Sequence, residues 1–394
     1  FVPIKVDREE RPDLDALYMS ICQQVTGRGG WPLSAWLTPD GRPFHVGTYF
    51  PKESRRGQPG FVDLLQRLQQ SWEQDRSEIE NRADQWETAI EGELESTPEA
   101  GDLPESDLLE SAAEQAVRSA DREHGGFGTN GPKFPQAARV HLLLRAADRT
   151  GLVEYRDVAS EAMTAMVEGG LYDHVGGGFH RYVTDREWVV PHFEKMLYDN
   201  AEIPRLYLTA FQRTGNERYA DVAAETLAFC ERELRHEAGG FFSTLDARSP
   251  PPDDPDAGDE EGAFYTWTPA EVHDAVADEQ AAKLFCDRFG VTEAGNFERT
   301  TVLTVSESVA DLAQRYYTTI EDVEATLSTA REQAFSARAE RPRPARDEKI
   351  LASWNGLMIS TFAEAAETLY FTPRDGEQLI ARPQEPTDQS TPSS

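Results

Sequence analysis

At 394 residues the chain has room for two ordinary domains, and 39% hydrophobic with 10% aromatic residues supplies a packed core. Seventy-one Asp and Glu against thirty-nine Lys and Arg leave a formal charge of −32. Such a field repels phosphate backbones and excludes nucleic acid as a main partner. No apolar run reaches the ~18 residues that a membrane span needs, so no membrane partner is expected. Cys22, Cys230 and Cys286 lie too far apart for a disulfide framework or a zinc spacing. That usage suits a reducing, cytoplasmic setting.

In chain order, Phe1-Val-Pro-Ile-Lys-Val-Asp7 is a short apolar run suited to a buried strand. From Asp13 to Val25, the residues Leu14, Leu17, Tyr18, Ile21, Cys22 and Val25 share a helical face, and Gly27 is a stop. Pro32–Leu37 and Pro43–Phe50 read as strands joined by a Thr38-Pro-Asp-Gly41 turn. A long polar helix then runs from Phe61 to about Glu93. This order, over residues 1–95, is the back part of a thioredoxin-like α/β fold lacking its first strand and first helix. Ser96–Glu105, with Pro98, Gly101 and Pro104, reads as a linker.

Helical stretches follow at Leu108–Ala120, Pro135–Arg149, Glu154–Val167, Phe193–Thr214 and Glu217–Arg235. Between them recur Gly125-Gly-Phe-Gly128, Gly176-Gly-Gly-Phe179 and Gly239-Gly-Phe-Phe242, spaced at about one helical hairpin plus loops. Repeating hairpins build either an open solenoid or a closed ring. The polar and aromatic wealth of the loops favours the ring, a mainly α (α/α)6-type toroid over 106–369, incomplete in this sequence. Residues 370–394 are rich in Pro, Ser, Thr, Gln and Asp and are expected to be a disordered tail.

Gly169–Asn200 is the densest chemical segment, with three of the eight histidines. Pro191-His-Phe-Glu-Lys195 reads as the start of a helix, which puts His192 and Lys195 on one face, with Tyr198, Asp199 and Glu202 within two turns. A helix start at the mouth of a barrel suits proton transfer on a sugar, with His192 as base or acid and Glu194 or Asp199 orienting it. The expected catalytic residues are therefore His192, Glu194 and Asp199. Asp173, His174, His180, Arg181, Trp188, Lys195, Tyr198, Asp246, Trp354 and Asn355 are expected to bind substrate. Aromatic platforms beside amides and carboxylates are what a small, neutral carbohydrate needs. The plainer alternative is that Pro191–Glu194 is capping and packing. His174, His180 and His192 have ligand chemistry but no familiar ligand spacing, so no metal and no cofactor is expected. Oligomeric state is not fixed by the sequence.

Phe1-Val-Pro-Ile-Lys-Val-Asp-Arg-Glu-Glu-Arg-Pro-Asp13, Gly29-Gly-Trp-Pro-Leu33, Pro132-Lys-Phe-Pro135, Gly176-Gly-Gly-Phe-His-Arg-Tyr182, Pro191-His-Phe-Glu-Lys-Met-Leu-Tyr-Asp-Asn200 and Ser353-Trp-Asn-Gly-Leu357 together resemble the spermatogenesis-associated protein 20 family. The resemblance runs from Phe1 to about Leu369. It implies a thioredoxin-like domain fused to a six-hairpin toroid similar to N-acylglucosamine 2-epimerases and glycosidases. It also implies that Trp31-Pro32 matches the cis-proline loop of thioredoxins. Family members carry a Cys-rich motif just upstream of Phe1, so this sequence by itself is expected to lack dithiol redox activity. A client-binding or thiol-redox protein with a non-catalytic barrel is the alternative reading.

The small Lys share of the basic residues favours a halophilic, haloarchaeal origin over a merely acidic surface. Screening then stabilises the fold, so its melting temperature should rise from dilute buffer to molar KCl. An unchanged or lower value rules the adaptation out.

Overall fold

A computed structural model of the chain describes residues 1–55, 57–94 and 107–371, which divide into two units, Phe1–Pro104 and Glu105–Ser394. The expected linker and the expected tail beyond Phe371 lie outside the described residues. Among the described residues no helix is long and apolar enough to cross a membrane.

In the first unit α1 (Pro12–Thr26) has proline in its first turn, beside Asp13 and Asp15, and ends at Gly27 in the left-handed region, φ 73°. β1 (Ser34–Leu37) and β2 (Pro43–Gly47) form the expected antiparallel hairpin, with Ser34 opposite Gly47. Trp36, Phe44, Leu64, Ile79 and Ala83 make the core beneath it. The Trp31–Pro32 peptide is cis, as the resemblance implies. Two expectations fail here. Phe1–Asp7 forms no strand, because β1 and β2 pair only with each other and offer it no ladder. The long helix is two helices, α2 (Phe61–Gln74) and α3 (Arg76–Leu94). Asp75 leaves helical geometry at φ −126°, closing α2 through its N–H to Ser71 and opening α3 through its carbonyl to Glu78 and Ile79.

The second unit is mainly α, an α/α-barrel-like array of hairpins. α4 (Leu108–Arg118) packs on α5 (Ala137–Thr150), which turns back at Gly151 into α6 (Val153–Glu168). α7 (Leu197–Thr214) likewise turns at Gly215 into α8 (Glu217–Phe229). α9 (Pro269–Ala275), α10 (Glu279–Phe289), α11 (Val309–Tyr316) and α12 (Ile320–Ala339) form a side cluster with their own apolar cores. α13 (Ala352–Phe371) then lies against α7, in the same core. The α5–α6 and α7–α8 turns are short, whereas the connections leading into α5 and α7, and the stretch that follows α8, are long. These three loops meet where Lys133 pairs with Val183 and where Lys195–Met196 pairs with Thr244–Leu245.

The first two long loops are built to one plan. Asp121 donates its N–H to the Gly126 carbonyl and accepts from Gly125 N–H; Asp173 does the same with Gly178 and Gly177. Asp121 Oδ1 accepts from the N–H groups of Glu123 and His124, and Asp173 Oδ1 from those of Val175 and Gly176. Gly125, Gly126, Gly177 and Gly178 lie at φ between 73° and 83°, a region that only glycine enters cheaply. A buried lysine then closes each turn. Lys133 Nζ lies 2.8 Å from Asp121 Oδ2 and 2.7 Å from the Gly125 carbonyl; Lys195 Nζ lies 2.7 Å from Asp173 Oδ2 and 2.8 Å from the Gly177 carbonyl. An arginine fork completes each site, Arg186 on Asp121 and Arg338 on Asp173.

The third loop keeps the turn but not the charge. His236 replaces the aspartate, with Nδ1 accepting from Ala238 N–H at 3.0 Å, and Lys349 pairs with Asp347.

Burial alone would raise the Asp121 carboxyl, but Arg186 and Lys133 hold it well below the usual range. Asp121→Ala leaves a buried Lys133 without its counter-ion and should cost about 3–5 kcal/mol in urea unfolding. A loss under about 1 kcal/mol would show that this site does not hold the loop.

Candidate active site at the helix N-termini

Pro191–Lys195 does not begin a helix. Pro191–His192 is a strand that pairs antiparallel with Tyr182–Val183, placing Tyr182 opposite His192. With β3 (Tyr182–Val183) and β4 (Pro191–His192) so paired, β5 (Lys195–Met196) joins β6 (Thr244–Leu245), and α7 begins only at Leu197. β7 (Arg248–Ser249) pairs with β8 (Glu260–Glu261), and β9 (Arg346–Asp347) pairs with β6. Along His192–Lys195 the side chains alternate. His192 and Glu194 are half-buried, while Phe193 and Lys195 are fully buried. His192 and Lys195 therefore do not share a face, and the expected residues separate into two groups.

The half-buried group centres on His192. Its Nδ1 lies 2.7 Å from Glu261 Oε1 and its Nε2 3.4 Å from Glu194 Oε2. Arg181 Nη1 donates to the same Glu194 oxygen at 2.8 Å, and the Tyr182 ring stacks on the imidazole at 5.2 Å. Glu194, and then Glu261, raise the histidine pKa against the effect of burial. His192 and Arg181 lower that of Glu194 against the same effect. Asp199 stands in the first turn of α7, where the helix N-terminus would favour its anion. Burial wins, and with Glu202 and Glu194 it drives this carboxyl well above its usual range in spite of Arg181. Asp199 Oδ2 and Arg181 Nε are both buried without a hydrogen-bond partner. Tyr198 meets Trp354, in the first turn of α13, edge to face at 4.9 Å.

The buried group holds Asp173, Lys195 and His180. His180 sets one ring nitrogen 2.9 Å from the Phe193 carbonyl, and burial pushes its pKa down to about 3. Lys195 is pushed down to about 8, again by burial first.

Other expected substrate ligands are spent on the fold. His174 Nε2 meets the Gly169 carbonyl at 3.0 Å, between the Tyr172 and Phe289 rings, and burial lowers its pKa to about 4. Trp188 is 2% exposed and donates to the Gly125 carbonyl at 3.3 Å. Asn355 clasps both backbone groups of Phe241, just as Asn200 clasps those of Phe179. Asp246 is exposed and accepts from Arg248 N–H, and Arg248 lies opposite Glu261 in the strand pair.

Glu261 is the residue that sequence reasoning missed. It closes an acidic run, Asp253–Glu261, and composition gives no sign that β8 brings it to His192. The signal available was the return of order after Glu260, at Gly262-Ala-Phe-Tyr265.

The family model described as Protein of unknown function, DUF255 (Thioredox_DsbH) matches residues 1–91. Spermatogenesis-associated protein 20 of Homo sapiens is 38% identical, over 94% of this chain and 50% of that protein. Uncharacterized protein B0495.5 of Caenorhabditis elegans is 33% identical, over 93% of this chain and 52% of its own length. The chain thus spans about half the length of the curated relatives it matches. Among solved structures, cellobiose 2-epimerase from Spirochaeta thermophila covers 36% of this chain and 42% of its own, with 20% identity and a TM-score of 0.31. An unsaturated glucuronyl hydrolase specific for heparin covers 91% of this chain and 96% of its own, with 9% identity and a TM-score of 0.35.

Proposed function

We propose that this chain is part of a protein of the spermatogenesis-associated protein 20 type whose helical unit performs proton transfer on a small carbohydrate, as an epimerase or isomerase. One observation carries the reading. A carboxyl driven toward its protonated form, Asp199, stands within electrostatic reach of an ionised one, Glu194, which is bonded to a histidine. Titratable neighbours with pKa values pushed apart are the signature of divided acid and base roles. The unpartnered Asp199 Oδ2 and Arg181 Nε each forgo a hydrogen bond, at about 1–3 kcal/mol apiece. A substrate's carbonyl and hydroxyl oxygens would recover part of that cost.

In this reading neutral His192 removes the proton from the carbon beside the substrate carbonyl and, as the imidazolium, returns it on the same face to the neighbouring carbon of the enediol. Glu194 and Glu261 hold the imidazole and stabilise its charged form. The Asp199 carboxyl donates a hydrogen bond to the carbonyl oxygen as charge grows there, and the Tyr198–Trp354 pair offers a ring face for stacking.

Incubating the full-length protein with an aldose panel in D2O should wash deuterium into the carbon beside the carbonyl. Asp199→Asn and His192→Gln should each cut that rate by about 10²-fold or more while leaving sugar binding within a few-fold. The rate should rise with pH as His192 loses its proton and fall again as Asp199 does. Exchange that persists in both variants, or that never occurs with any sugar, overturns the proposal.

A further inference from the structure

A second site lies on the buried side of β5, and it does not depend on the proton-transfer reading. A pocket of about 190 Å³, room for roughly six waters, opens between β5, β6, the C-terminal end of α8 and α12. Five cations line it: Lys195 and Arg338 on the floor, and Arg232, Arg343 and Arg346 toward the mouth. Lys195 and Arg338 are almost fully buried, whereas Arg343 is 53% exposed.

Only two carboxylates share that wall, and both are engaged. Asp173 is taken by Lys195 and Arg338. Glu233 receives Arg232 at 2.8 Å and Arg343 at 2.5 Å. Arg346 also reaches Glu348, just outside the wall, at 2.8 Å. Positive charge therefore outweighs negative inside this pocket, in a chain whose net charge is −32.

The pocket wall also carries an unanswered donor. Tyr265 is 7% exposed, lines the pocket, and its hydroxyl is buried with no hydrogen-bond partner. Its ring is held between Lys195 Nζ at 5.1 Å and the Arg338 guanidinium at 5.5 Å, so the phenol is fixed rather than free to seek a partner. Phe264 and Phe335 supply apolar wall beside it, under Arg338 and Arg232.

We infer that this pocket binds a phosphate oxyanion, carried by a compact phosphorylated metabolite or as free phosphate. A carboxylate brings one charge and two acceptor atoms. A phosphate monoester brings nearly two charges and three acceptors, which match the guanidinium forks at the mouth together with the Tyr265 hydroxyl. Low-dielectric walls around a basic floor focus the field on such an anion, even against the negative surface outside.

Titration calorimetry of the full-length protein at about 0.15 M KCl tests the site with glucose 6-phosphate, inorganic phosphate and glucose. Saturable binding of one or both phosphate compounds, and none of glucose, is expected. The tighter of the two identifies the source: the ester if the Phe264–Phe335 wall is used, free phosphate if it is not. Arg343→Gln should weaken binding at least about tenfold, and Tyr265→Phe about three- to tenfold. Tyr265→Phe removes a single unbonded oxygen, so it should melt like the parent when no ligand is present. Glucose binding as tightly as its phosphate, no saturation by either phosphate compound, or affinities unchanged in both variants each overturn the inference.

Discussion

A buried carboxylate must either be matched by cations or surrender its charge, and the loops of the helical unit are organised by that rule. Desolvation of one carboxylate costs several kcal/mol before any partner is counted. Asp121 and Asp173 meet the cost in one way, each with a lysine, an arginine fork and two backbone N–H groups. Because the same oxygens hold a Gly-Gly turn and a neighbouring segment, each aspartate ties together parts of the chain far apart in sequence. Arg338 reaches Asp173 from α12, which fastens the side cluster to the second loop. Asp199 Oδ2 is buried without a hydrogen-bond partner, and Arg181, the cation beside it, already serves Glu194. Even with a hydrogen bond to Tyr198, burial is not offset, and the affinity of this carboxyl for its proton rises.

The site follows from this difference in matching. Where charges balance, the carboxylates tie the loops together. Where they do not, a carboxyl with raised affinity for its proton, Asp199, stands near Glu194, whose affinity is lowered, and a histidine whose affinity is raised. The extended stretch His192–Lys195 separates the two kinds of chemistry by simple alternation. His192 and Glu194 face one side, and Lys195 faces the matched Asp173 on the other. One residue of register would exchange them.

Much of this was legible in the sequence where local pattern decides. The Thr38–Gly41 hairpin, the first helices of the second unit and the glycine punctuation are all short-range signals, and each of these has a counterpart in the structure. The dense segment Gly169–Asn200 does gather the ion pairs of Arg181, His192, Glu194 and Lys195. What failed was anything set by a distant partner. His192 and Lys195 fit a helical face equally well on paper, and only pairing with Tyr182 and Leu245 makes the segment extended. Asp173, Lys195, Trp188 and Asn355 take part in hydrogen-bond networks that local pattern cannot tell from a binding site, because polar and aromatic residues serve both. Glu261 and Arg338 stayed invisible since β8 and α12 bring them in from far along the chain.

The central claim is that two of these carboxyls are ionised supports and the third is held as an acid. Infrared difference spectra of the wild type against Asp199→Asn and against Asp121→Asn, at neutral pH, test it directly. The account predicts a protonated-carboxyl C=O band that disappears with Asp199→Asn, and a carboxylate band that disappears with Asp121→Asn. A carboxylate signature for Asp199 at neutral pH would contradict it.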